Sequence, residues 1–138
     1  MKRLSLAALL MMSTAAHAAP VDIMDAWFRA LPGKLPAGGY FTAQNNTQRD
    51  VAITGASSDA CGMLMIHQSS NKGGMSGMDM VEQVKVPAGG QVRFAPGGYH
   101  LMCDNPKMKL GAKVPVLLHL SDGSAVAVGF IVKSASGK

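Results

Sequence analysis

Residues 114–132 read VPVLLHLSDGSAVAVGFIV. Two runs rich in Val, Leu and Ile flank the turn signal Ser121-Asp122-Gly123, so the stretch is two extended segments joined by a tight connection. Similar pieces recur upstream: DVAITGA at 50–56, VEQVKV at 81–86 and QVRFA at 91–95. Between them come LPGKLPAGG, GASS, NKGG, VPAGG, APGG and DNP, so Gly and Pro punctuate the chain every ten or so residues. No segment after the first 19 residues sustains a helical period over three turns. The pattern predicts an all-β fold of many short antiparallel strands, a sandwich or small barrel with Greek-key connections.

The length of 138 residues suits one domain. Its first residues, MKRLSLAALLMMSTAAHAA, place Lys2 and Arg3 before an apolar run and end on Ala16-His17-Ala18, an A-x-A cleavage pattern. Residues 1–18 therefore read as a signal peptide and 19–138 as a single exported domain. The apolar run is about half of the ~20 residues that a membrane span needs. No cysteine adjoins the cleavage pattern to carry a lipid anchor. Loss of the leader, with Lys2 and Arg3, lowers the formal charge from +5 to +3. The remaining basic residues are scattered and aromatics are few, which argues against a nucleic-acid partner. Two cysteines, Cys61 and Cys103, enter a compartment that permits pairing, and the spacing leaves a disulfide and two separate buried thiols both open.

Strand alternation sorts the side chains of two further stretches. In GMLMIHQ, residues 62–68, Leu64 and Ile66 share one face, and Met63, Met65 and His67 the other. The Leu/Ile face is expected to meet the core. In YHLM, residues 99–102, His100 and Met102 point the same way, about 7 Å apart at Cα, close enough to reach one ion. Thioether sulfur is soft and uncharged, and imidazole suits borderline and soft metals, so an H-x-M pair favours copper, Cu(I) above all. Zinc and calcium would require other donor sets. The polar segment HQSSNKGGMSGMDM, 67–80, adds His67, Met75, Met78 and Met80 on what reads as a Gly-rich surface hairpin connection, an odd place for core filler. A site of two His and two Met would need that hairpin and one neighbouring strand.

The spacing His67, ten residues, Met78, twenty-one residues, His100, one residue, Met102 resembles the signature of the PCuAC periplasmic copper chaperones. The likeness extends to DAWFRALPG, GGYFTAQNN, ITGASSDACG, VPAGGQVRFAPGGYHLM and PVLLHLSDGSAVAVGFIV. It implies a cupredoxin-like barrel or sandwich and one Cu(I), with Cu(II) as the alternative, held by His67, Met78, His100 and Met102. It also implies a monomer that delivers copper in the periplasm, to the copper-centre subunit of cytochrome c oxidase or to a Sco-type protein. Many relatives carry a Met where this chain has Ser69, while Met75 and Met80 are extra sulfurs, and Met63 and Met65 stand where relatives are commonly polar.

Competing functions fare worse on the residues. A blue-copper electron carrier needs a thiolate, and Cys103, next to Met102, would face away from the site. A thiol oxidoreductase would use C-x-x-C, whereas 41 residues separate these cysteines. No G-x-S-x-G or H-E-x-x-H element is present, so an enzyme is not expected. A general copper buffer would use the same ligands as a chaperone. His119, alone in an apolar strand, reads as structural, and Trp27 and Phe28 as core.

Overall fold

The computed structural model describes residues 19–138, so the proposed leader lies outside it. Ten strands follow in order: β1 (Val21–Arg29), β2 (Ala37–Asn45), β3 (Val51–Ser57), β4 (Met63–Lys72), β5 (Met75–Met80), β6 (Val84–Val86), β7 (Gln91–Phe94), β8 (Tyr99–Asp104), β9 (Lys113–Leu120) and β10 (Ala125–Lys133). Among the described residues there is no helix, and so none long and apolar enough to cross a membrane. The all-β expectation holds.

The strands pair in the order β5-β4-β8-β2-β1-β10-β9-β3-β6, with β1 and β10 parallel. Strand β2 shares one edge between two partners: Ala37–Gly39 pair with β8, and Phe41–Gln44 with β7. The sheet thus folds over itself. Ile66 of β4 and Leu101 of β8, from one end of the path, join Ile53 of β3 and Val86 of β6, from the other, in a single buried cluster.

β9 shows how sequence enforces this. Val114, Val116, Leu118 and Leu120 are buried, and Lys113, Pro115, Leu117 and His119 between them are exposed, the period of two that a half-buried strand demands. At the centre, Phe130 packs on Phe28 and Phe41 at centroid distances of 4.9 and 5.9 Å. Phe28 fills the core as expected, but Trp27 does not. Adjacent strand residues point to opposite faces, and Trp27 lies outside against Tyr40, at 4.9 Å, under the Lys133 ammonium.

Two local features set the strands that carry the candidate site. Gly39 pairs with Phe28 on one side and Leu101 on the other, and a Cβ there would stand 2.8 Å from the Phe28 ring and 3.0 Å from Leu101. Only glycine lets β8 approach the core so closely. Cys61 and Cys103 form a disulfide with Cα atoms 5.3 Å apart, fixing the segment before β4 to β8. On the loop-closure model, a cross-link of this span contributes about 4 kcal/mol.

Candidate metal centre

The stretch read as a surface loop is a β-ribbon. β4 and β5 pair from His67↔Met80 to Lys72↔Met75, closed by a two-residue turn at Gly73 and Gly74 with φ of 61° and 78°. Left-handed conformation at both turn positions is the condition for a hairpin that matches strand twist, and Gly-Gly meets it without strain. β4 also pairs with β8, setting His67 opposite His100, Met65 opposite Met102 and Met63 opposite Asp104.

Register then decides which donors share a face, because directly opposed residues point the same way. His67, His100, Met65, Met102, Met78 and Met80 lie on one face of the β5-β4-β8 ribbon. Met75 pairs with Lys72, whose side chain falls on the other face, so in this register Met75 points away from the histidines. Met80 stands directly across from His67. The opposite face packs inward through Ile66 and Leu101, with Leu64 and Tyr99 against the core, as alternation predicts.

The histidine rings meet edge to face with centroids 5.9 Å apart. His100 is only 5% exposed. Its Nδ1 lies 3.1 Å from the Gly98 carbonyl oxygen, which can only accept, so the neutral ring donates from Nδ1 and leaves the Nε2 lone pair free. That Nε2 lies 3.2 Å from Met78 Sδ. A thioether has no proton to give, so two electron-pair donors face one another, an arrangement suited to a cation between them.

His67 carries the more telling feature: both ring nitrogens are buried and neither has a hydrogen-bond partner. Leaving a buried polar group unmet costs about 1–3 kcal/mol. Burial, then the neighbouring His100, hold its pKa below the usual imidazole value, while Asp104 opposes the shift. Both lowering effects favour the neutral ring, the form that donates to a metal. Among the described residues, no three His, Cys, Asp or Glu side chains converge, so the donors that could complete a site around the two imidazoles are the thioethers. The donor set fits a soft monovalent ion.

Met78 and Met80 are 56% and 70% exposed, so a metal bound here would lie near the surface. A shallow groove of about 520 Å³ lined by Ser69, Asn71, Gly77, Met78 and Gly97 adjoins the site. A groove of about 550 Å³, lined by Ser57, Lys113, Pro115, Leu117 and Val128, lies along β9 and β10, away from both histidines. Strand alternation had already set Met65 beside His67, but sequence reasoning passed over Asp104, because its place near the pair depends on the β4–β8 register.

Strand order and a His/Met face on the outermost ribbon define a β-sandwich that gathers soft donors near its surface, and the comparisons agree on the fold. The sequence profile of the family described as "Putative lipoprotein LpqE-like" matches residues 21–132. The chain belongs to this family, which is the PCuAC family. A protein of Leifsonia xyli subsp. xyli, described as a putative lipoprotein, is 32% identical over 120 residues, covering 85% of this chain and 72% of the relative. An uncharacterized protein of Rickettsia prowazekii is 32% identical over 99 residues, 68% of this chain and 55% of that one.

Among solved structures, CuI-DR1885 from Deinococcus radiodurans is 28% identical with a TM-score of 0.68, over 89% of this chain and 85% of that one. The copper-bound PCuAC domain from PmoF2 is 21% identical with a TM-score of 0.71, over 86% and 97%, a likeness of fold. The cupredoxin-like sandwich is thereby established.

Proposed function

We propose that this protein is an exported copper chaperone that binds one Cu(I) through His67, His100, Met78 and Met102 and passes it to a partner by ligand exchange. The observation that carries the reading is the pair of opposed imidazoles, one with both nitrogens buried and unpartnered, the other aiming a free Nε2 at Met78. Membership of the PCuAC family and the likeness to a Cu(I)-bound relative support it.

Copper is cargo here, so the chain's task is to hold and release it. Thioethers bind Cu(I) without needing to lose a proton, and the exposed Met78 sits where an incoming thiolate or thioether can displace it. Cys103 is locked in the disulfide and lies on the core face of β8, which deprives a blue-copper electron carrier of its thiolate. On the family resemblance, the recipient is the copper-centre subunit of cytochrome c oxidase or a Sco-type protein in the periplasm.

X-ray absorption of the Cu(I)-loaded protein should count two nitrogen and two sulfur donors, with one sulfur lost in Met78→Leu and one nitrogen in His100→Ala. Unchanged spectra in both variants would exclude this ligand set.

A further inference from the structure

The side chains beyond the histidines lie outside the buried core cluster. Met63 and Met65 lie on the outer face of β4, while Leu64 and Ile66 supply its packing. Met63 is 57% exposed, and its cross-strand neighbour is a carboxylate, Asp104, with no apolar side chain to pack against across the ladder. Packing therefore gives no reason for a thioether at this position.

Register closes these side chains into a compact group. Met63 and Met65 are two residues apart on one strand, about 7 Å between Cα atoms, and Met65↔Met102 and Met63↔Asp104 are direct pairs, about 4.5–5.5 Å apart at Cα. Long unbranched side chains span such gaps and turn their sulfurs to a common point. Among the described residues, Asp104 has no Lys or Arg within ion-pair distance; the ion pairs join Lys72 to Asp79 and Lys85 to Asp50.

We infer that Met63, Met65 and the Asp104 carboxylate form a second station for a soft monovalent cation, Cu(I) or Ag(I), contiguous with the histidine site through Met102. Two sulfurs are a sufficient inner set for such an ion, and the carboxylate neutralises its charge. Hard divalent ions are disfavoured because thioethers bind them poorly. An ion at this station needs only to exchange one thioether for Met102 to move onto the imidazoles, so the surface carries a two-step track along β4 and β8.

Ag(I), which does not change oxidation state, is the probe. Native mass spectrometry in the presence of a weak competing thioether should find two Ag(I) retained by the wild-type protein. One should remain in Met63→Leu/Met65→Leu and one in His67→Ala/His100→Ala. Leu for Met keeps volume and apolarity, so folding is preserved, and circular dichroism checks it. In parallel, the ¹³C-methyl resonances of Met63 and Met65 should shift during the titration in the histidine double variant as well. A single Ag(I) in the wild type, lost in the histidine variant and kept in the methionine variant, would overturn the second station while leaving the four-ligand reading intact. Two retained by the methionine variant would overturn it as well. Retention of one Ag(I) by the histidine variant and its loss on adding the methionine pair would support the station whatever holds the other ion.

Discussion

The Asn45 corner and the His67 face both bury polar atoms, and they do so in opposite ways. Asn45 is fully buried, yet its amide nitrogen donates to the carbonyls of Arg49 and Val86 at 2.7 and 3.0 Å, and its oxygen accepts from the Thr47 amide at 2.9 Å. His119, on the outer face of β9, likewise has Ser57 Oγ 3.1 Å from its Nε2. His67 has neither solvent nor partner at its ring nitrogens. A polar group that the fold needs is satisfied by the fold; one left unsatisfied at a net cost points to something outside the chain that satisfies it.

The sharpest way to separate the two regions is to damage the framework alone. Phe130→Ala should destabilise the protein by about 3–5 kcal/mol, the cost of emptying a buried aromatic site. Chemical denaturation would measure it, and the copper stoichiometry of the folded fraction should stay the same. A comparable loss of stability from His67→Ala would erase the distinction.

Next in size comes the contrast between histidines. Cu(I) affinity should fall more than about 100-fold in His67→Ala or His100→Ala, since even partners behind a ligand cost 10–100-fold, and it should hold in His119→Ala. Competition with a chromophoric Cu(I) chelator reads this directly. Equal losses at His119 would break the comparison.

Acidification gives a smaller effect with a defined sign. The pKa of His67 is lowered by burial first and by His100 second. Between that lowered value and the ordinary imidazole value of about 6.5, the unfolded chain binds the proton and the folded chain does not, so stability rises with pH across this window and is lost as pH falls through it. Protons also compete with the metal. Cu(I) affinity should hold down to about pH 6.5 and drop by roughly tenfold toward pH 5, with the apo protein losing stability over the same range. A flat affinity profile would remove the histidines from the ligand set.

The smallest change is the most diagnostic. His67→Leu should stabilise the metal-free protein by about 1 kcal/mol, because it replaces an unpartnered buried polar group with an apolar one, while abolishing the gain in melting temperature on adding Cu(I). Asn45→Leu should do the reverse to stability, stranding the carbonyls of Arg49 and Val86. If both substitutions destabilise alike, the unpaired nitrogens of His67 have no functional meaning.

Much of the site was legible because it is local. Alternation alone put His67 with Met63 and Met65, and His100 with Met102, and the His/Met spacing tied the two stretches to one family. The same rule, applied to neighbouring positions, should have placed Trp27 and Phe28 on opposite faces; the expectation that both fill the core set aromatic content above parity. The face of Met75 was hidden for a different reason. It lies in the same Met-rich stretch as Met78, and only the two-residue turn at Gly73 and Gly74 sets its side chain on the face away from His67.

The sequence by itself determined the class of fold, the core-facing side of the two strands that carry the histidines and the kind of metal that could interest the chain, because a period of two and the softness of a donor atom are properties of residues and their neighbours. The tertiary structure decided that His67 opposes His100, that Met80 rather than Met75 shares their face, that Cys61 bonds to Cys103, and that Asp104 faces Met63. Those facts depend on the register between segments far apart in the chain, which turn geometry and core packing select together. Whether a nitrogen finds a partner is likewise a property of its surroundings, and no residue carries that information alone.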